Sequence, residues 1–201
     1  MSIKIRYLSH ACFELKNKKT VLIDPYFSNN PLAPKYEGKP NLILVTHEHF
    51  DHSDVAGFDS KVVCPIGFNC KNPVHMRIGD LKVVEDIKIQ MVSASHHQSK
   101  YATGYVIEFE GKRIYHPGDT YLDGVKPLGK IDVFFVPIGG TYTMNSEEAV
   151  KALEIIKPSL AIPMHFNTFP QIRANPEEFK SKAEKLGYRV KVMKIGEEIE
   201  V

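Results

Sequence analysis

Residues 41–52 read NLILVTHEHFDH. The run Asn41–Thr46 is apolar with β-branched members, which predicts a buried strand. It ends in three histidines and an aspartate, His47, His49, Asp51 and His52, within six positions. A buried strand that delivers such groups at its end predicts a layered β-rich fold with a site along one edge.

The same arrangement recurs down the chain. IKIQMVSAS (Ile87–Ser95) leads to His96 and His97, KRIYHPG to His116 and Asp119, and LAIPM to His165. Imidazole and carboxylate are ligands for zinc and its first-row neighbours. His47 and His49 are two residues apart, so on an extended segment they point the same way and can share one ion. Asp51 and His52 lie past a turn and can reach a second ion. His96 can complete the first set, His165 the second, and Asp119 can bridge them. Such a site leaves room for a bridging water that the ions would deprotonate near neutral pH.

Outward from these motifs the chain reads as many short strands and two helices. Strands are expected over Ile3–Leu8, Cys12–Lys16, Thr20–Asp24, Lys61–Pro65 and Leu81–Asp86. Tyr105–Gly118 reads as a hairpin turning at Glu110–Gly111. Ile131–Ile138 and Leu160–His165 are further strands, and Tyr188–Ile195 closes the chain. Helices are expected over Ser146–Lys157, capped by Asn145 or Ser146, and over Asn175–Gly187, with Asn175 as cap and Pro176 at the first turn. The Pro- and Asn-rich stretch Pro25–Pro40 is a loop of a length that is more often functional than idle. The pattern predicts one α/β or α+β domain over residues 1–201.

The chain of 201 residues carries a formal net charge of +2 and three cysteines. Near-neutrality argues against a nucleic-acid or membrane partner. The basic run Leu15–Thr20 reads as a solvated hairpin turn. Cys12, Cys64 and Cys70 do not make a disulfide framework and read as reduced thiols of a cytoplasmic protein. No signal-peptide core or run of membrane-spanning length occurs. The expected partner is a small molecule, and a homo-oligomer stays open.

THEHFDH resembles the HxHxDH signature of the metallo-β-lactamase superfamily. SHACFEL, LIDPYFS, YHPGDT, PIGGTYTMNSEEAV and IPMHFNTFP extend the resemblance over essentially the whole chain. They resemble a branch of metal-dependent hydrolases related to ascorbate-6-phosphate lactonase-like and acyl-phosphatidylethanolamine phospholipase-like proteins. The resemblance implies a four-layer αβ/βα sandwich. It implies His47, His49 and His96 on one ion, Asp51, His52 and His165 on a second, and Asp119 bridging. It implies two divalent ions, zinc first, with manganese, nickel or iron as options. Catalysis would use a metal-bridging hydroxide to cleave an ester, lactone, amide or phosphodiester, with Asp51 doubling as proton acceptor. The alternative is an iron-containing redox member handling oxygen or a persulfide. No cysteine stands at a ligand position, unlike the drug-hydrolysing lactamases, and no nuclease insertion or flavodoxin domain is present.

Other residues read less sharply. His96 is favoured over His97 as the ligand. His10 reads equally as a core histidine or as a group touching the site. His116 reads as a packed or supporting group and His75 as surface. Asp24 is expected to orient a ligand imidazole, and Thr46 to support the histidine loop by hydroxyl-to-backbone bonds. The loops Pro25–Pro40, Gln98–Thr103, Gly139–Asn145 and Asn167–Arg173 are candidates for substrate contact. Within them Tyr142, Asn167 and Arg173 are candidates for holding a polar or anionic group.

Overall fold

Short β-branched and aromatic runs pair into two mixed sheets in a computed structural model that describes residues 2–201. The first sheet holds β1 (Lys4–Ser9), β2 (Cys12–Lys16), β3 (Thr20–Ile23), β4 (Leu42–Leu44), β5 (Lys61–Pro65) and β6 (Pro73–Met76). The second holds β7 (Leu81–Val84), β8 (Ile87–Ser93), β9 (Thr103–Phe109), β10 (Lys112–His116), β11 (Val133–Pro137) and β12 (Leu160–Met164). A last strand, β13 (Glu198–Glu200), returns to pair antiparallel with β1. Neighbours β1–β2–β3 and β7–β8–β9–β10 run antiparallel, whereas β3–β4–β5–β6 and β10–β11–β12 run parallel.

Alternation of side chains places one face of each sheet in a shared core. Ile5, Phe13, Leu15, Val21, Ile23, Leu42 and Leu44 of the first sheet meet Ile89, Tyr105, Ile107, Ile114, Phe135 and Ile162 of the second. Phe13 and Phe135 stack with ring centroids 3.9 Å apart. Each such fully buried side chain contributes roughly 2 kcal/mol of transfer free energy.

Helices α1 (Ser146–Ile156) and α2 (Pro176–Lys185) cover the outer face of the second sheet. Asn145 is the cap of α1. Its side chain accepts from Glu147 N and Glu148 N, and the Glu148 carboxylate accepts from Asn145 N. Asn175 and Pro176 start α2 as the sequence suggests. The outer face of the first sheet, including Leu22, Ile43, Val62 and Cys64, is covered by irregular chain through Phe27, Tyr36, Val55, Phe58 and Phe68. The sandwich of two sheets is thus the expected one, with loop rather than helix as the layer outside the first sheet.

Three segments differ from expectation. Tyr188–Ile195 does not form a ladder. Ala161 N donates to Arg189 O and Lys191 N to Ala161 O, and pairing stops there. Pro163 on β12 has no N–H to continue it. β6, which carries His75, and the three-residue β13 were not legible, because neither has an apolar run. His75 lies on an exposed part of β6 and bonds Phe68 O.

Candidate metal centre

The apolar strand β4 hands its chain directly to the histidine loop, where His47 is buried and His49 half-buried. The chain then turns, with His52 N donating to His49 O at 3.0 Å. From the second sheet, the ends of β8, β10 and β12 bring His96, Asp119 and His165 to the same edge.

The donor atoms form two main groups, and a third, Asp24, His47 and His52, overlaps both. His47 Nε2 lies 3.1 Å from His49 Nδ1, and His49 Nδ1 lies 3.3 Å from His96 Nε2. His10, Asp51, His52 and His165 form the second group, each offering one atom within 4.8 Å of the others. Asp119 sits between the groups. Its Oδ2 is 3.1 Å from His165 Nε2, 3.9 Å from His96 Nε2 and 4.0 Å from His47 Nε2, and its Oδ1 is 3.3 Å from His52 Nε2.

In His47, His49, His52 and His96 the second ring nitrogen shows which one is left to bind. His52 Nδ1 donates to Asp24 Oδ2 (2.8 Å) and His96 Nδ1 to the Tyr142 carbonyl (3.1 Å). His49 Nε2 donates to Gln98 O (3.2 Å). Thr46 Oγ1 donates to Asp24 Oδ2 (2.7 Å) and accepts from His47 Nδ1 (3.0 Å). These bonds fix the tautomers, so the remaining nitrogens carry lone pairs that face one another. Neutral nitrogens cannot satisfy each other in that arrangement. His52 Nε2, Asp119 Oδ1 and both ring nitrogens of His165 are buried without a hydrogen-bond partner. Orphaned buried donors and acceptors are costly, and a cation held by them removes the cost. The residues present therefore fit divalent metal.

Burial holds His47 well below its ordinary pKa, with His52 adding to the effect. Burial also disfavours the charged form of His52, yet Asp119 and Asp51 outweigh it and raise its pKa well above the ordinary value, so that without a cation the lone pair of its Nε2 is taken by a proton that a metal would displace. Asp119 and Asp51 stay ionised despite burial, because His165 and His52 attract the charge of the first and His52 and His10 that of the second.

Supporting residues divide as follows. Asp24 orients His52 as expected, and it also accepts from Thr46 N (2.8 Å). Thr46 acts through the Asp24 carboxylate and the His47 ring rather than by bonding backbone with its hydroxyl. His116 is packed. Its Nε2 donates to Ala11 O (2.8 Å) and its Nδ1 accepts from Gly118 N (3.2 Å). Gly118 has φ +63°, and a Cβ there would lie 2.5 Å from Thr103 O and 2.8 Å from Thr46 Cβ, so only glycine lets the loop lead into Asp119. His97 is exposed and stacks on Tyr121 (5.3 Å), away from the cluster.

Sequence reasoning left His10 undecided. It is fully buried, its Nε2 donates to Asp51 Oδ2 (3.1 Å), and its Nδ1 accepts from Thr168 Oγ1 (2.6 Å). Glu48 was missed. Its carboxylate accepts from Ser99 Oγ (2.7 Å) and Lys100 N (2.8 Å) and ties the 98–101 loop to the histidine loop. A cavity of about 510 Å³ opens onto the cluster and is lined by Phe50, Gln98, Tyr142, Phe169 and Gln171 with the site's own groups. Tyr142 is the one substrate candidate that lines it. Asn167 is occupied by bonds to and from the Ala174 backbone, and Arg173 is exposed outside the lining. A larger groove of about 1340 Å³ lies under the Pro25–Pro40 loop, but none of the histidines reaches it.

The profile of the beta-lactamase superfamily domain matches residues 4–165. A UPF0173 metal-dependent hydrolase of Thermoplasma volcanium is 38% identical, with 100% of both chains covered. One of Pyrococcus abyssi is 39% identical over 99% of this chain and 100% of its own. The chain belongs to this family of metal-dependent hydrolases. A solved metallo hydrolase of Ignicoccus hospitalis superposes on it with a TM-score of 0.89 at 31% identity, covering 100% of this chain and 99% of the other. Family membership accounts for the fold and for a metal-binding cluster at its edge. Among the described residues no helix is long and apolar enough to cross a membrane.

Proposed function

We propose that residues 1–201 act as one hydrolase domain that holds two divalent ions, zinc by preference of its ligands, and cleaves an ester, lactone, amide or phosphodiester bond of a small molecule. His47, His49 and His96 would hold one ion. Asp51, His52 and His165 would hold the other, and Asp119 would serve both. The observation that carries this reading is the position of Asp119, within 4.0 Å of four imidazoles from two separate groups. Bound there, the ions would supply an acidified water and polarise the oxygen of the scissile bond. The cysteines, three free thiols, support the cytoplasmic reading.

The chain's own residues do the rest. Asp24 and the Tyr142 carbonyl keep His52 and His96 in the tautomer that binds. His10 turns the Asp51 carboxylate toward the cluster, where it can accept the attacking water's proton and pass it to the leaving group. Imidazoles and carboxylates also suit iron, but the hydrolase names borne by full-length relatives favour hydrolysis over oxygen or persulfide chemistry.

Metal-free protein titrated with zinc tests the reading. Two equivalents per chain should bind, and hydrolysis of an activated ester should appear with them. His49→Ala and Asp119→Ala should lose both. Retention of full activity in either variant would sink the proposal.

A further inference from the structure

We propose that the cavity selects an uncharged carboxylic ester, lactone or amide bearing an apolar group of phenyl or short-alkyl size, and discriminates against phosphodiesters and other anions. This rests on the hydrolase reading above and narrows it.

The first observation is the charge of the lining. Among the described residues no lysine or arginine lines the cavity, and its non-aromatic contributors beyond the histidines are Glu48, Asp51, Asp119, Gln98 and Gln171. A phosphodiester carries its charge on the non-bridging oxygens of the phosphorus under attack, and proteins that favour such a group commonly add arginine forks or lysines to the ions that meet it. Here the lining adds no such cation, and its one carboxylate outside the His/Asp cluster, Glu48, already accepts from Ser99 and Lys100 and would repel an anion. Gln98 and Gln171 offer neutral amide groups suited to a carbonyl or ether oxygen.

The second observation is an aromatic wall. Phe50 lies 5.7 Å from Tyr26 and 6.3 Å from Phe169, and Tyr26 lies 6.1 Å from Phe169, centroid to centroid. Phe50 sits inside the histidine loop, between His49 and Asp51, yet it is 67% exposed. A phenylalanine held in water at this point has an unused apolar face turned to the cavity mouth. Phe169 packs edge-on against His10 (5.5 Å), which bonds Asp51. An apolar substituent on this wall would therefore set its neighbouring carbonyl over the His/Asp cluster. A volume of about 510 Å³ is of the size that encloses a small molecule. The reaction needs only water. Its oxygen bonds the carbonyl carbon, the carbon–oxygen or carbon–nitrogen bond to the leaving group breaks, and the water's proton ends on the departing alcohol or amine.

The test compares 4-nitrophenyl hexanoate, 4-nitrophenyl acetate and bis(4-nitrophenyl) phosphate on the zinc-loaded full chain, with binding of the uncharged ketone 1-phenyl-2-propanone measured alongside. kcat/KM for the hexanoate should exceed that for the acetate by about tenfold or more, in the range that small apolar additions confer, and the phosphate diester should be the poorest. Phe50→Ala should pull the hexanoate-to-acetate ratio toward one and weaken ketone binding about tenfold. Val83→Ala, on exposed β7, should change neither. Faster turnover of the phosphate diester than of both esters overturns the inference and leaves the hydrolase reading standing. So does a ratio untouched by both Phe50→Ala and Phe169→Ala. If no compound is turned over, the hydrolase reading fails. Ketone binding then decides the cavity's preference alone: binding lost in Phe50→Ala upholds it, and absence of binding in the parent overturns it.

Discussion

Asp24 Oδ2 accepts from His52 Nδ1 at 2.8 Å, with both side chains wholly buried. The same oxygen accepts from the Thr46 hydroxyl, which accepts in turn from His47. One carboxylate thus braces one imidazole in each group.

Removing that brace should loosen metal. Asp24→Asn keeps the shape but presents a weaker, neutral acceptor to three donors. Zinc affinity should fall about 10- to 100-fold, read by competition with a chromogenic chelator. Unchanged affinity in Asp24→Asn would show that the ring orientation is set elsewhere.

His10→Gln should lower kcat about 10²-fold while bound zinc stays at the parental level. His10 touches Asp51 rather than filling the positions around Asp119. Thr168→Ala, which removes the hydroxyl beyond it, should cost less. A parallel loss of zinc in His10→Gln would mean that it holds the site together rather than aiming one group.

Acid should destabilise the metal-stripped chain. Burial pushes His10 down to about 3 and lowers His47, His96 and His116 as well. The unfolded chain protonates these rings near 6.5, so below that pH it binds more protons than the native one. Stability therefore falls as pH drops from about 6.5 toward 3. His52, whose pKa is raised, pulls the opposite way and is outnumbered. Urea midpoints at pH 7.5, 6.0 and 5.0 should decline in that order. A flat series would contradict the assignment of these rings as neutral.

Gly118→Ala should destabilise by more than 1 kcal/mol, because alanine is strained at positive φ and its Cβ meets the Thr103 carbonyl. Zinc binding should weaken with it, since Asp119 follows directly. Thermal unfolding with and without zinc separates the two effects.

The seven residues proposed for the metal centre, which the structure gathers at one edge, stand out in the sequence through local spacing and strand ends: His47 and His49 lie two apart at the end of one strand, and His96, Asp119 and His165 each follow an apolar run. The supporting network was partly legible. Asp24 was visible as a carboxylate closing a buried strand. The link from His10 to Asp51 joins residues far apart in the chain, and no periodicity reports it. The aromatic wall was not legible for the same reason, since Tyr26, Phe50 and Phe169 come from three separate loops. Edge strands β6 and β13 are short and polar, and pairing partners rather than composition make them strands.

His165 N donates to His10 O at 2.8 Å, so the turn after the first strand of one sheet is pinned to the end of the last strand of the other. Each group of the cluster draws residues from both sheets, so neither is complete before the sheets meet. Ions bound there would act as a staple across a long loop of the chain, and cross-links that close long loops remove much entropy from the unfolded state. The centre proposed for the chemistry would thereby also be the clasp of the sandwich.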